Sequence, residues 1–309
     1  MKAPGPASSP ALQGWLVIDK PEGLGSNRAV ALVRRLTGMK AGHAGTLDPL
    51  ATGVLPVALG AATKTVAFAA DSSKTYRFRV CWGASRSTDD REGAILSSSP
   101  MRPSAEAIAA LLPRFTGTLA QKPPQYCALH VGGRRAYALA RAGLPVDLPA
   151  RPVEVKALRL LAVPDEDHAE FEAVVGKGTY IRALARDLAL SLGTLGHVEA
   201  MRRLAVGRFT LKEAISLDSL ALRRHSLDFC GALLPVEAAL DGIPALLLSA
   251  AEARGLVCGQ RVIPREKEGE GSVEGLAEGR LVGAFCDRLL VALARVEKGG
   301  LRPVRVISC

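Results

Sequence analysis

No apolar run in the 309-residue chain reaches the ~18 residues that a membrane-spanning helix needs, which excludes a protein of that class. The six cysteines stand apart at 81, 127, 230, 258, 286 and 309, with no CxxC pair and no zinc-ligand spacing. They read as reduced and mostly structural. The five histidines, at 43, 130, 168, 197 and 225, form neither HExxH nor HxxxH, so no metal site is expected. Rossmann glycines and a P-loop are also missing, which argues against a nucleotide cofactor. No internal repeat is evident. The Pro/Ser/Ala-rich start, residues 1–13, lacks an apolar core and reads as a disordered tail, not a signal peptide, and the chain is expected in the cytoplasm.

What is there describes an ordinary globular protein. Hydrophobic residues make up 48% and charged residues 23%, so neither disorder nor a fibrous class is indicated. The length predicts about two domains and is ample for a sizeable core. A net charge of +10 with a pI near 9.6 favours a polyanionic partner, because each neutralised phosphate releases counterions.

The most informative stretch runs from Gly42 through His43-Ala44-Gly45-Thr46-Leu47-Asp48-Pro49-Leu50-Ala51-Thr52 to Gly53-Val54-Leu55. It sets one carboxylate, Asp48, among apolar neighbours in a glycine-rich segment. A buried, ionised carboxylate costs several kcal/mol unless paired, so a cationic partner is expected elsewhere in the chain. Pro49 pushes Asp48 toward extended backbone. Two readings stand at this point: a buried turn closed by the Asp side chain, or a site carboxylate.

Gly14 to Asp19 reads as a strand entering the turn Asp19-Lys20-Pro21-Glu22-Gly23. Ser26 is expected to cap a helix with Ala29, Leu32, Val33 and Leu36 inward, stopped by Gly38. A strand near Val54 to Leu59 and a short helix over residues 61–70 follow. Lys74 to Trp82 alternates, with Tyr76, Phe78, Val80 and Trp82 on one face, and predicts a half-buried strand. Tyr76 is either the floor of a pocket or the last core residue of that row. Ser104 to Leu112 reads as a capped helix.

Residues 121–159 read as irregular and basic, with Arg134, Arg135 and Arg141 among the cations and Tyr126 and Tyr137 interleaved. That mixture suits phosphate contact plus base stacking, or else a solvated insertion. Two strands, Val153 to Val163 and Ala169 to Val175, precede a helix opened by Gly178-Thr179 with Ile181, Leu184, Ala185 and Leu188 inward. Arg182 falls in its first turn, where the helix dipole disfavours a cation. It is either the partner that Asp48 lacks or an exposed arginine that tolerates the penalty. Beyond Leu240 to Pro244, short apolar runs split by glycines predict a small β-rich domain over 241–309.

Five pieces in order carry a resemblance to a known family: Leu16-Val17-Ile18-Asp19-Lys20-Pro21, the Gly42 to Gly53 loop, Lys74-Thr75-Tyr76, Lys177-Gly178-Thr179-Tyr180-Ile181-Arg182, and Arg202-Arg203-Leu204-Ala205-Val206-Gly207. The chain resembles the bacterial tRNA pseudouridine-55 synthases of the TruB family from about Gly14 to its end. The resemblance implies an α+β chain with the pseudouridine synthase fold, a mixed, largely antiparallel sheet with flanking helices. The catalytic domain would span 14–240, with an RNA-clamping insertion at about 121–151, and 241–309 would be a small C-terminal β-rich domain of PUA type.

It further implies an isomerase that needs no cofactor and takes the tRNA T arm as partner without guide RNA; nothing in the sequence suggests an obligate dimer, so a monomer is expected. Asp48 would be the catalytic aspartate, Arg182 its ion-pair partner, and Tyr76 the ring stacked on the target uracil and a candidate for proton transfer. His43 would fill the space left by the flipped nucleotide. Lys20 and Tyr180 would line the pocket. Met201 stands where the family usually has a leucine against the base, a volume-conserving exchange. Cys127 and His130 replace the usual serine and lysine of the insertion. Two rivals are a guide-RNA-dependent relative, which would lack the basic insertion, and a non-catalytic RNA-binding or RNA-folding protein on the same scaffold.

Overall fold

The computed structural model describes residues 13–144, 146–223, 231–264 and 275–307. Most of residues 1–13 and most of the acidic glycine-rich stretch from Glu266 to Glu278 lie outside the described residues. The first half of the chain forms β1 (Gly14–Lys20), α1 (Ser26–Thr37), β2 (Ala41–His43), β3 (Thr52–Leu59), α2 (Val66–Asp71), β4 (Lys74–Trp82), β5 (Ala84–Arg86), β6 (Ile95–Ser98), α3 (Ala105–Leu111) and β7 (Gly117–Gln121). Then come β8 (His130–Val131), β9 (Arg134–Arg135), α4 (Ala136–Arg141), β10 (Arg151–Asp165), β11 (His168–Val175), α5 (Ile181–Ser191), β12 (Gly196–Val206), β13 (Phe209–Thr210), β14 (Ala214–Ile215) and α6 (Leu217–Arg223). The tail contributes β15 (Ala245–Leu247), α7 (Ala250–Val257), β16 (Leu281–Cys286), β17 (Leu289–Glu297) and β18 (Gly300–Val306).

The large sheet runs β14-β1-β3-β12-β4-β11-β10-β7, with β2 and β13 attached to β3 and β12. It is mixed and largely antiparallel. Within it, among the described residues, only β1 with β14 and β3 with β12 pair in parallel. Strand β4 sits near its middle because its alternation supplies one apolar face: Tyr76, Phe78, Val80 and Trp82 are all buried, while Arg77 is exposed. They join Leu16, Ile18, Leu55 and Phe171 from neighbouring strands and Leu184 and Leu188 from α5 in one core.

Strand β12, between β3 and β4, has no clear signal in the sequence. Register shifts between Val198 and Ala200 and between Arg203 and Ala205 put its alternation out of phase. The irregular stretch expected to reach Arg159 ends earlier, because Arg151 already pairs with Gln121 in the ladder. The helix expected over residues 61–70 is a 3-10 turn, Gly60–Thr65, followed by α2; Thr63 and Thr65 bond back to the carbonyls of Gly60 and Ala62.

Ser26 does not cap α1. Gly25 is the N-cap, and the Ser26 hydroxyl instead donates to the Leu47 carbonyl at 2.7 Å and accepts from the Leu47 amide at 2.8 Å. That pair of bonds fastens the Asp48 loop to the start of the helix. Gly38 closes α1 with φ 70°, its amide bonded to the Arg34 carbonyl, as expected of a glycine C-cap.

Gly53 holds the loop's far end against β12. Its φ is +102°, and a Cβ added there would lie 2.2 Å from the Arg203 carbonyl oxygen. Gly53→Ala is therefore expected to destabilise the protein by on the order of 3 kcal/mol, from backbone strain and overlap together. A urea midpoint shift at unchanged slope measures it.

The tail forms a four-stranded sheet, β15-β16-β17-β18. It has its own apolar cluster, including Leu246, Leu256, Val282, Ala294 and Leu301. Leu290, Leu293 and Ile307 belong instead to a cluster with Trp15, Val54, Phe209 and Val236, which seats the tail on the back of the large sheet.

Candidate active site

The loop between β2 and β3 is anchored on both sides of its acid. Leu47, Leu50 and Ala51 are buried, whereas the Asp48 side chain is 30% exposed. The apolar neighbours thus serve as anchors, and the carboxylate itself opens to a cavity, a wetter setting than its sequence neighbours suggest. Lys20 lies under the loop. Its ammonium donates to the carbonyls of Leu24 (2.7 Å), Pro21 (2.8 Å) and Pro49 (3.1 Å). Burial pulls this ammonium down to about 8, with Asp48 opposing the shift and Arg203 reinforcing it. Lys20 is fully buried and is not on the cavity wall, so it supports the loop from beneath and does not line the pocket.

Arg182 rises from the first turn of α5 and is only 5% exposed. Nε donates to Asp48 Oδ2 at 2.8 Å and Nη2 to Asp48 Oδ1 at 3.2 Å. The same guanidinium donates to the Thr88 carbonyl at 2.7 Å and the Tyr126 carbonyl at 2.9 Å, and approaches Asp90 at 3.6 Å. Burial works to lower its pKa, but Asp48, Asp90 and Asp89 outweigh it and hold the group above its ordinary value. One cation therefore joins the Asp48 loop, the 87–93 turn and the start of the 121–151 segment.

One turn on, Arg186 repeats the pattern, donating to Asp89 Oδ2 and to the Lys122 carbonyl, both at 2.8 Å. Asp90, Asp89 and Arg186 carried no sequence signal, because their partners lie about a hundred residues away. Gln121 is a further unanticipated contributor: its buried amide accepts from the Tyr180 N–H at 2.8 Å and donates to the Tyr180 carbonyl at 3.1 Å.

The cavity beside Asp48 has a volume of about 270 Å³ and is walled by Asp48, Tyr76, Tyr180 and Met201, with Lys74 and Arg203 behind. Tyr76 projects from β4 with its ring buried against the core. Burial, reinforced by the neighbouring Cys127, pushes the Tyr180 phenol up to about 12, so it keeps its proton. His43 is absent from this wall. Its Nε2 faces Asn27 Oδ1 at 3.3 Å, and burial, reinforced by Arg203, lowers its pKa.

Arg134, Arg135 and Arg141 are exposed on the insertion, away from the cavity, and none has a carboxylate partner among the described residues. Arg141 lies 4.8 Å over the Tyr137 ring, which meets Tyr126 edge-on at 5.9 Å. Cys127, Ala136, Val146 and Leu148 give the insertion its own small core, against which Tyr180 packs.

A family model described as TruB family pseudouridylate synthase (N terminal domain) matches residues 33–181, and one described as tRNA pseudouridylate synthase B C-terminal domain matches residues 182–241. The tRNA pseudouridine synthase B of Rhodospirillum rubrum is 50% identical over 299 residues, covering 96% of this chain and 97% of that protein. The chain belongs to the TruB family. The tRNA pseudouridine synthase B of Bradyrhizobium diazoefficiens is 51% identical over 306 residues, covering 96% of this chain and 86% of that one. Among solved structures, a chain of the archaeal box H/ACA sRNP Nop10–Cbf5 complex superimposes with a TM-score of 0.73 at 24% identity, covering 95% of this chain and 86% of that chain. The fold is thus that of the pseudouridine synthases, as the sequence motifs imply, and the chain is an isomerase of that family.

Proposed function

We propose that the chain converts uridine to pseudouridine at position 55 in the T loop of tRNA, alone and without guide RNA, as a monomer in the cytoplasm. The observation that carries this reading is the two-point Asp48–Arg182 pair at the mouth of a cavity floored by Tyr76. The reaction breaks the N1 glycosidic bond, turns the freed base, and joins C5 to ribose C1′. It is redox-neutral and transfers no external group, so it needs neither metal nor cofactor.

Asp48 is the acid that acts at the sugar or the base, by attack or by removing a ribose proton. Arg182 holds both of its oxygens and so keeps it aimed. Tyr76 and Met201 bracket the uracil, Tyr180 closes the third side, and His43 takes the place the base leaves in the loop. Extruding a stacked base costs a few kcal/mol, which phosphate contacts from the insertion and from the PUA-type tail (241–309) offset.

The likeness to a chain of a box H/ACA complex makes guide dependence the reading to exclude. Incubating the purified chain with an unmodified tRNA transcript, and mapping pseudouridine at single-nucleotide resolution, does so. Product at position 55 without added RNA is expected. Product only with a guide, or none, would overturn the proposal.

Arg134 and Arg135 lie exposed on the insertion, with no carboxylate partner among the described residues. Reversing both charges, Arg134→Glu with Arg135→Glu, is expected to weaken tRNA binding and to flatten the dependence of log K on log salt by roughly 0.7–0.9 for each phosphate no longer neutralised. Filter binding at several salt concentrations measures it, and parallel lines for variant and wild type would remove the insertion from the RNA interface.

A further inference from the structure

Two arginines are buried beside the cavity, and their surroundings are opposite. Arg182 faces Asp48 and Asp90. Arg203, on β12, is only 1% exposed, and among the described residues no carboxylate oxygen lies within 4.0 Å of its nitrogens. Backbone carbonyls hold it instead: Nε donates to Val54 at 2.7 Å, Nη2 to Gly45 at 3.1 Å and Nη1 to Thr46 at 3.3 Å. Two of those carbonyls belong to the loop that carries Asp48.

Taking a guanidinium out of water costs several kcal/mol, and carbonyl dipoles offset only part of that. A second cation, Lys74, shares this wall, its ammonium bound to the carbonyls of Ala70 and Ser72. This side of the cavity therefore favours negative charge, and the nearest ionisable oxygen is that of Tyr76, 3.5 Å from Arg203 Nη1. An arginine nitrogen only donates. The Tyr76 oxygen must accept there, which directs its own proton and its other lone pair away from Arg203.

The proposal rests on the reading that this cavity receives the flipped uracil. We propose that Arg203 is a positioning residue for the last proton transfer, aiming the Tyr76 oxygen at C5 of the turned base. Once C5 has bonded to ribose C1′, it still carries its original hydrogen. The C5–H bond breaks as its proton passes to the Tyr76 oxygen, which hands its own proton on to water. The electron pair restores the C5–C6 double bond, and N1 takes a proton from water. One proton leaves the base and one arrives, and nothing is oxidised or reduced.

The other titratable or charged groups that share the cavity with Tyr76 are Asp48 from the β2–β3 loop, Lys74 from the same strand, and Lys177 and Tyr180 ahead of α5, with Cys127 from the insertion and Arg182 behind Asp48. None of them contacts the Tyr76 oxygen among the described hydrogen bonds, so Arg203 is the group whose replacement changes that oxygen first.

The test is single-turnover conversion of tRNA transcripts carrying protium or deuterium at uridine C5, with Arg203→Lys and Arg203→Gln beside the wild type. Turnover is expected to slow roughly 10- to 100-fold, the deuterium effect to rise about twofold as C5–H cleavage becomes more limiting, and tRNA affinity to hold. A slower variant with an unchanged deuterium effect overturns the proposal, because Arg203 then serves only the loop; an unchanged rate overturns it equally.

Should neither variant bind tRNA, 3-fluorotyrosine placed at position 76 of the otherwise unaltered chain decides: its more acidic phenol is expected to move the pH dependence of turnover to lower pH, and an unmoved profile overturns the proposal. Failure of the underlying reading is separate and visible in the same assay, as a wild type that makes no pseudouridine or an Asp48→Asn variant that still does.

Discussion

Asp48→Asn is expected to reduce pseudouridine formation by on the order of 10⁴-fold or more while tRNA affinity stays within about threefold. The substitution keeps the size of the side chain and removes its charge and basicity. The loop does not depend on that charge for its shape, since Ser26 holds Leu47, Lys20 holds Pro49, and the Gly23 amide bonds the Pro49 carbonyl at 2.8 Å. Arg182 keeps Asp90 and the carbonyls of Thr88 and Tyr126. Folding and RNA binding therefore survive, and the chemical step is lost. Rapid-mix single-turnover assays with filter binding on the same preparation separate the two effects. A variant that still turns over near the wild-type rate would remove Asp48 from the chemistry.

Arg182→Met is expected to act on both levels. The guanidinium is buried and carries the only ion pair made by Asp90 among the described residues, and Asp90 is itself buried. Removing one member of a buried pair leaves the other uncompensated, at a cost of about 3–5 kcal/mol. The link between the Asp48 loop, the 87–93 turn and Tyr126 is lost as well, so turnover is expected to fall on the order of 10³-fold or more.

Arg182→Lys separates charge from geometry. It restores the cation but not the planar fork that meets both Asp48 oxygens, so it should recover most of the stability and little of the rate. Urea midpoints and single-turnover rates for both variants test this. A Met variant within about 1 kcal/mol of wild type would mean that the three segments are held by something else.

How much of this was legible beforehand varies with the range of the interaction. The β4 alternation from Tyr76 to Trp82, the α5 core face and the Gly38 stop are local patterns, and each appears in the structure where the residues place it. Ser26 misled because a hydroxyl before an apolar helix usually caps it, whereas here a partner 21 residues away takes both of its bonds. Strand β12 was illegible because its bulges break the period that identifies a strand. The pairing of Asp48 with Arg182 was readable as a pair of problems, an acid among apolar neighbours and a cation at the wrong end of a helix dipole, each of which the other solves.

The amino-acid sequence by itself determined the secondary elements with clean periods, the glycine-rich loop and its single acid, the basic charge, and, through five ordered motifs, the family. Only the tertiary structure decided which buried cations face which groups. It set Lys20 beneath the loop and not in the pocket, gave Arg182 three acidic neighbours, and left Arg203 beside Tyr76 with backbone carbonyls alone. The reason is physical: the apolar period that sets a helix or strand is written along the chain, whereas the energy of a buried charge is set by whatever packs within a few ångströms of it, and in this fold those neighbours come from strands and loops up to 158 residues apart.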